Sequence, residues 1–305
     1  KKCLNDIKAV FHLAAKVGVG QSMYEIQEYT YVNNMGTAVL MEALIEHPVD
    51  KLVVASSMSI YGEGLYSNSQ NELLLSCRRD IKDLKNGVWD LFDPEGQKLQ
   101  PVAVKEFKTP DLTSIYALSK YDQEKLCLIT GEAYGIPTTA LRFFNVYGTR
   151  QALSNPYTGV LAIFSSRLIN NNLPLIFEDG NQLRDFVNVK DVAQACLLAL
   201  EKPASDGKAI NVGSGESYSI QSIAQVLAEV MDKTYLEPRI TQKFRKGDIR
   251  NCFADISQAK ELLGFLPSVD FRDGLRELAT WLSDQKAVDR VDKAEEELTS
   301  RGLTI

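Results

Sequence analysis

The runs AVFHL at residues 9–13, NMGTAVLMEALIE at 34–46 and KLVVA at 51–55 decide the fold of this chain. The first and third are short, apolar and rich in residues that favour strands, whereas apolar residues recur at helical spacing in the second. A strand, a loop, a helix and a second strand in this order form the repeating unit of parallel α/β sheets. The chain therefore begins its ordered structure with such a unit.

The same alternation continues towards the C-terminus. Patterning predicts helices over 119–134, 192–201 and 220–231, with strands over 138–144 and 209–212. This alternation is typical of a doubly wound sheet. Residues 65–112 interrupt it as a polar, irregular insertion. Residues 284–301 are charged and helix-prone with a thin apolar stripe, so we expect a solvated terminal helix there.

Composition excludes several classes of protein. The chain has 305 residues and a formal net charge of -6, without a basic block that could follow a phosphate backbone, so nucleic acid is not an expected partner. Its five cysteines are scattered and include no CxxC pair, which indicates a reduced, cytoplasmic protein without a bound metal. No apolar run approaches the roughly 18 to 20 residues of a membrane span, so no membrane partner is expected.

The residues suited to proton transfer are Ser57 in VVASSMSIYG and Tyr116 and Lys120 in SIYALSK. A tyrosine four residues before a lysine lies on the same face of a helix, where the ammonium can stabilise a phenolate. A serine hydroxyl at the end of a nearby strand can share a proton with that tyrosine and with a substrate hydroxyl. Each piece alone also has an ordinary structural explanation, and the combination favours the chemical one.

Nine segments in order resemble the extended short-chain dehydrogenase/reductase family, in its nucleotide-sugar epimerase and dehydratase branch. They are FHLAA at 11–15, NNMGT at 33–37, SSMSIYG at 56–62, YALSK at 116–120, LRFFNVYG at 141–148, RDFVNVKDVA at 184–193, INVGSG at 210–215, RKGDIR at 245–250 and ADISQAKELLGF at 254–265. The resemblance implies a Rossmann-like NAD-binding domain and a smaller C-terminal α/β domain for the substrate.

The resemblance also implies roles for individual residues. Tyr116 would be the catalytic base, Lys120 its partner and a ligand of the nicotinamide ribose, and Ser57 the hydroxyl that binds the reacting sugar oxygen. Besides Tyr116 and Lys120, the NAD-binding residues would be Leu13, Ala14, Ala15, Lys16, Asn33, Ala55, Ser56, Phe143 and Val146. The nucleotide sugar would contact Val19, Ser57, Met58, Ser59, Asn145, Arg184, Arg245 and Arg250. The three arginines are candidates for the diphosphate, because a guanidinium suits phosphate oxygens.

The two residues after Ser57 bear on the reaction. Dehydratases of this branch place an Asp-Glu pair there, whereas this chain has Met58 and Ser59, which can neither protonate a leaving hydroxyl nor abstract a carbon-bound proton. What remains is 4-epimerisation through a transient 4-keto sugar, with NAD regenerated. The alternatives are a 4,6-dehydratase, a 4-keto reductase, and, from another class, a non-catalytic relative that only binds a nucleotide sugar.

Three segments narrow the resemblance to dTDP-L-rhamnose 4-epimerase-type enzymes. They are KVGVGQSMYE at 16–25, the insertion after YGEGLY, and RQALSNPYTGVLAIFSSRL at 150–168. The resemblance further implies a homodimer in which the helix over 34–46 and the helix carrying Tyr116 pair into a four-helix bundle.

The resemblance divides the chain into domains. Residues 1–148 and 185–213 would bind NAD, 149–184 and 214–283 would bind the substrate, and 284–305 would form the terminal helix. No glycine-rich GxxGxxG turn precedes residue 9. The first strands of the NAD-binding sheet are therefore missing, and we expect the natural protein to carry about 60 to 70 further residues upstream.

Overall fold

The fold is seen in a computed structural model that describes residues 2–153, 155, 157 and 159–305. The predicted domains also include Lys1, Ser154, Pro156 and Thr158, which lie outside the described residues. Its fourteen strands in chain order are β1 (Ala9–His12), β2 (Lys51–Ser57), β3 (Leu65–Ser67), β4 (Leu73–Leu74), β5 (Gln100–Val102), β6 (Thr138–Phe143), β7 (Asn145–Tyr147), β8 (Leu175–Ile176), β9 (Leu183–Arg184), β10 (Phe186–Asn188), β11 (Ala209–Val212), β12 (Tyr218–Ser219), β13 (Arg239–Ile240) and β14 (Asn251–Cys252).

The described α-helices are α1 (Val19–Ser22), α2 (Ile26–Tyr29), α3 (Gly36–Glu46), α4 (Ile81–Lys85), α5 (Ile115–Tyr134), α6 (Val160–Ile169), α7 (Val189–Glu201), α8 (Ile220–Val230), α9 (Ser257–Leu263), α10 (Phe271–Leu282) and α11 (Val291–Ser300). A π-helical segment, Thr30–Met35, leads directly into α3. The predicted helix at 119 begins at Ile115 instead, because the Ser114 side chain accepts a hydrogen bond from the Ala117 N–H and caps it.

The central sheet is parallel, with strand order β1-β2-β6-β11. Neighbouring residues of β2 point to opposite faces: Val53 packs in a core cluster with Val192 of α7, whereas Val54 packs in another with Leu44 of α3. Helices therefore cover both faces of the sheet, which confirms the predicted Rossmann-like, doubly wound fold. The carboxyl ends of β2 and β6 lie side by side, with Ser57 in register with Phe143.

A third core cluster lies beside the sheet and joins α6, α8 and α10 through Phe164, Leu227 and Leu278. Strand β10 pairs in parallel with β7, and β9 pairs with β12 and β14 in a small mixed sheet. These strands connect the third cluster to the end of the central sheet where β2 and β6 finish. The predicted domain boundaries remain a prediction.

The insertion is more regular than the sequence predicts. Strands β3, β4 and β5 form an antiparallel three-stranded sheet, and Asp80 caps the short helix α4. Strands of two or three residues are too short to show an alternating pattern, which is why patterning misses them. Gly64 marks the close approach of the insertion to the chain around Asn251, because its N–H donates to the Asn251 carbonyl at 2.8 Å and a Cβ there would collide with that oxygen.

The end of the chain also differs from the prediction. Helix α11 begins at Val291 and not at 284, and its Ala294 and Leu298 are buried. Residues 303–305 then run antiparallel to residues 244–246. None of the described helices is both long and apolar enough to cross a membrane.

Candidate active site

Ser57 and Tyr116 meet above the carboxyl end of β2. Ser57 is the last residue of β2, and Tyr116 lies in the first turn of α5. The Ser57 hydroxyl lies close enough to the Tyr116 phenol to affect its pKa, and the Tyr116 backbone N–H donates to Ser22 Oγ at 3.0 Å. Burial raises the pKa of Tyr116, whereas the Ser57 hydroxyl opposes that rise. The structure thus brings the predicted base and the predicted serine together.

Lys120 lies one helical turn beyond Tyr116 on α5 and is buried. Its ammonium donates to Gln123 Oε1 at 2.8 Å, and burial lowers its pKa to about 8. Gln123, one helical turn beyond Lys120, thus offers the buried ammonium a neutral acceptor. The stabilisation of a Tyr116 phenolate by this ammonium stays a prediction, because an ammonium has two further donors.

Three residues at the end of β2, Ser57, Met58 and Ser59, have different surroundings. The Ser59 hydroxyl and backbone N–H both donate to Ser57 Oγ, at 2.9 and 3.2 Å. Ser57 Oγ accepts both, so its own hydrogen can go to Tyr116. Met58 is buried in the core cluster under the sheet. Neither neighbour of Ser57 brings a carboxylate to the site.

Asn33 organises the edge where the dinucleotide would lie. Its Oδ1 accepts from the Lys16 N–H at 2.7 Å, while its Nδ2 donates to the Lys16 carbonyl at 3.1 Å and to Ser119 Oγ at 2.9 Å. The chain just before Lys16 is open, since Leu13 and Ala14 are exposed. Small side chains on an exposed backbone past a strand end leave room for a flat ligand.

The free donors of Lys120 are a further observation that fits a dinucleotide. An ammonium carries three N–H donors, and among the described residues only Gln123 accepts from Lys120, which is 3% exposed. Two donors of a buried cation thus remain for a ligand such as the hydroxyl pair of a ribose.

Other predicted NAD-binding residues lie at the same strand ends with different roles. Phe143 is half-buried and Val146 is exposed, whereas Ala55 is buried inside β2. The Ser56 hydroxyl donates to Glu124 Oε2 at 2.6 Å, and that carboxylate also binds Arg142. The Ser56 side chain therefore serves the core, and only its backbone could approach a cofactor.

Two of the three predicted diphosphate arginines share one carboxylate. Arg245 donates to Asp248 Oδ2 at 3.0 Å, and Arg184 lies 3.8 Å from Asp248 Oδ1. Although burial opposes it, these two arginines and Arg79 lower the pKa of Asp248. Arg245 keeps 36% of its side chain exposed, with its guanidinium over the Phe177 ring. Asn145 donates through Nδ2 to the Asp185 carbonyl, beside Arg184.

The structure contradicts the prediction for Arg250. Its side chain is 2% exposed, and its three nitrogens donate to Asp90, Glu178 and Asp179 at 2.6 to 3.2 Å. A guanidinium already surrounded by three carboxylates has no free face for a diphosphate. Arg250 instead fastens the insertion, through Asp90, to the chain around Glu178.

Sequence reasoning missed several residues that shape the site. Gln123 binds Lys120 and also donates to the Ala14 carbonyl at 3.3 Å, and Ser22 holds the backbone of Tyr116. Gln123 could have been found from its spacing, because it lies three residues after Lys120 on one helix. Ser22 could not, since 94 residues separate it from Tyr116.

The fold and this site together define an enzyme of the Rossmann-like class that binds a dinucleotide beside a serine and tyrosine pair. The family model described as "NAD dependent epimerase/dehydratase family" matches residues 1–78 and 94–213. The chain therefore belongs to the NAD dependent epimerase/dehydratase family, and NAD is its cofactor.

Individual relatives agree with this assignment. The chain is 32% identical to a dTDP-L-rhamnose 4-epimerase of Burkholderia thailandensis, over 90% of this chain and 75% of the relative. It is 30% identical to a UDP-glucuronate 4-epimerase of Thermodesulfobacterium geofontis, over 90% of this chain and 72% of the relative. These matches span about three quarters of the relatives' lengths.

Solved structures are similar over a comparable extent. A UDP-N-acetylglucosamine 4-epimerase from Methanobrevibacter ruminantium M1, in complex with UDP-N-acetylmuramic acid, has a TM-score of 0.76 and 30% identity, covering 93% of this chain and 79% of that one. The UDP-glucuronic acid 4-epimerase from Bacillus cereus with UDP-glucuronic acid and NAD has a TM-score of 0.75 and 29% identity, covering 92% and 77%. The prediction of an isomerase of the nucleotide-sugar 4-epimerase class is confirmed at this level.

Proposed function

We propose that this enzyme inverts C4 of a dTDP-linked deoxysugar, with Tyr116 as the base. The observation that carries the proposal is the neighbouring pair of Tyr116 and Ser57 at a strand end where Met58 and Ser59 stand in place of carboxylates. Such a site can exchange the proton of a hydroxyl but has no carboxylic acid next to Ser57 to expel one. This favours epimerisation over dehydration.

In the proposed reaction, Tyr116 takes the proton from the C4 hydroxyl while Ser57 holds that oxygen through its own hydroxyl. NAD, held beside Lys120 and Asn33, would supply the redox chemistry at C4 as the acceptor and then the donor of a hydride. The 4-keto sugar turns between these two events, and Tyr116 returns the proton to the oxygen of the inverted carbon. Ser59 supports the serine by donating to Ser57 Oγ, so that the Ser57 hydrogen stays directed to the reacting oxygens.

The substrate diphosphate would lie against Arg184 and Arg245. Arg245 is the more exposed of the two and is held by Asp248, whereas the Arg184 guanidinium donates to the backbone carbonyls of Leu183, Ile249 and Arg250. Arg245 binds the Asp248 carboxylate through Nε and Nη2 only, so its Nη1 remains for a phosphate. Val19 and Asn145 would contact the nucleotide sugar beside them.

The proposal of a dTDP sugar rests on the 32% identity to the dTDP-L-rhamnose 4-epimerase. Relatives that are named for UDP sugars make these the main alternative. The test is incubation of the purified protein with dTDP-, UDP- and GDP-sugars, followed by NMR of the C4 proton. We expect C4 inversion of a dTDP-deoxysugar without net consumption of cofactor. Net oxidation of added reduced cofactor would indicate a 4-keto reductase instead, and a 4-keto-6-deoxy product would indicate a dehydratase.

We also propose a homodimer that forms through α3 and α5. The two helices lie side by side, and Asn34 just before α3 donates to Asp122 of α5 at 2.5 Å. Their outer faces expose large apolar side chains, with Val39 at 59% and Ile129 at 63%. Two such pairs of helices facing each other would make a four-helix bundle.

A further inference from the structure

The last fifteen residues form a segment that packs onto the substrate side of the protein. We call residues 291–305 the C-terminal clasp; it consists of α11 and the short extended end after it. Leu298 is 4% exposed and lies against Gly20 of the segment 16–25, which carries Val19. The clasp therefore touches a region that the sequence assigns to the sugar.

A carboxylate of the clasp is held by two tyrosines from two different segments. Glu297 Oε2 accepts a hydrogen bond from the Tyr157 hydroxyl at 3.0 Å and lies 3.3 Å from the Tyr24 hydroxyl. The two hydroxyls are themselves 2.8 Å apart. Arg301 places its guanidinium 4.2 Å from the centre of the Tyr24 ring, a cation–π contact. Glu297 thus connects the clasp with segment 16–25 and with the chain at Tyr157.

Segment 16–25 continues this connection to the reacting residues. Ser22 Oγ accepts from the backbone N–H of Tyr116 at 3.0 Å and donates to the Val19 carbonyl at 2.6 Å. The segment is closed at its ends by an ion pair between Lys16 and Glu25 at 2.6 Å. A shift of Tyr24 would therefore move the segment that carries Val19, while Tyr116 keeps its place in helix α5.

The extended end of the clasp reaches the other half of the substrate site. Phe244 and Ile305 exchange two backbone hydrogen bonds of 2.9 Å, and the Lys246 N–H donates to the Leu303 carbonyl at 2.9 Å. This short antiparallel ladder flanks Arg245 on both sides. Backbone pairing on both sides of one residue restricts the direction of its side chain.

From these contacts we propose that the C-terminal clasp positions both ends of the nucleotide-sugar site, and that Glu297 is a positioning residue which acts through Tyr24 and Tyr157. The inference rests on the proposed function. The inference goes beyond the proposed function because the clasp lies outside the matched family region, which ends at residue 213. Differences in this segment would then tune which sugar is accepted.

The kinetic test compares Glu297→Ala with Glu296→Ala in the full chain. Glu296 is exposed, and its side chain makes no hydrogen bond or ion pair with any described residue, so it is a matched control on the same helix. With the sugar nucleotide that the wild type inverts, we expect Glu297→Ala to raise KM at least tenfold with kcat within about twofold. The variant would lose the same binding free energy in the substrate complex and in the transition state. Such a loss raises KM and leaves kcat unchanged.

A double-mutant cycle then separates positioning from general loosening. Because Tyr157→Phe removes the hydroxyl that donates to Glu297, the double variant with Glu297→Ala should be no worse in KM than either single variant. If the two effects simply multiply, the two side chains act independently and the proposal is wrong. An unchanged KM in Glu297→Ala would also overturn it.

Hydrogen–deuterium exchange tests the same contacts without turnover. We expect faster exchange within residues 16–25 in Glu297→Ala and within 244–246 after deletion of residues 303–305, with α3 unchanged in both. Equal exchange in variant and wild type would overturn the inference. If the wild type inverts no nucleotide sugar, the proposed function fails by itself, and the exchange result still decides whether the clasp positions these segments.

Discussion

At the scale of single residues, the site depends on the hydroxyl of Tyr116. We expect Tyr116→Phe to lower kcat by about 10²- to 10⁴-fold, because the atom that exchanges the substrate proton is removed while the half-buried ring remains. Steady-state kinetics on the substrate found by NMR measures this loss.

A matched control lies one turn and a half further along the same helix. Tyr121→Phe removes a hydroxyl from a partly buried ring that packs against the core cluster. We expect it to keep nearly full activity. A Tyr116→Phe enzyme as active as Tyr121→Phe would show that another group is the base.

His12, at the end of β1, is expected to make stability depend on pH. Its Nε2 lies 2.8 Å from Thr37 Oγ1, and burial, aided by the charge of Lys120, lowers its pKa to about 4. The unfolded chain takes up a proton near pH 6.5 and the folded chain does not, so stability falls as the pH drops from 6.5 towards 4. We expect a loss of about 2 kcal/mol between pH 7 and pH 5 from this residue.

Urea unfolding of the wild type and of His12→Gln at both pH values measures this contribution. Glutamine does not titrate, so the variant should lose about 2 kcal/mol less over this interval. His47→Gln, which alters the other histidine of the chain, serves as the control. An equal loss in His12→Gln and in the wild type would contradict the assignment.

At the scale of elements, the insertion is fastened by buried ion pairs. Arg79, 5% exposed, donates to Glu178 at 2.7 Å and to the Asp248 carbonyl at 2.7 Å, and lies 3.4 Å from Glu63. We expect Arg79→Met to lower the free energy of unfolding by about 3 kcal/mol, because buried Glu63 loses its cation and buried Glu178 keeps only Arg250. Urea unfolding followed by circular dichroism measures it.

The adjacent arginine provides the comparison for this prediction. Arg78 pairs with Asp111 but leaves 75% of its side chain exposed, so Arg78→Met should have a much smaller effect. Similar losses for both variants would mean that burial does not decide the strength of these pairs.

At the scale of the whole molecule, the proposed dimer is the property to test. We expect the double variant Val39→Asp, Ile129→Asp to be monomeric at concentrations where the wild type is a dimer, because two charges would enter an apolar interface. Light scattering after size exclusion gives both masses. Leu266→Asp changes a side chain of similar exposure, 62%, elsewhere on the surface and should leave the dimer intact. A monomeric wild type would refute the proposal.

The sequence predicted the fold and the central chemistry because both depend on local patterns. The run KLVVA formed a strand that extends to Ser57, and YALSK formed the first turns of α5, since strand and helix periodicity are properties of neighbouring residues. The meeting of Ser57 and Tyr116 follows from this, because strand ends and helix starts share one edge of a parallel sheet.

The tertiary structure decided which partner each polar group chose. Arg250 resembles a diphosphate ligand in sequence, yet Asp90 from the insertion and Asp179 surround it, and a motif does not contain residues 71 or 160 positions away. Likewise, 284–305 reads as a solvated helix until Tyr24 and Tyr157 are seen to hold Glu297. Local patterns indicated the fold, and the resemblance of nine segments to a known family indicated the class of enzyme. Packing between distant segments, which no local pattern encodes, determined how its site is held.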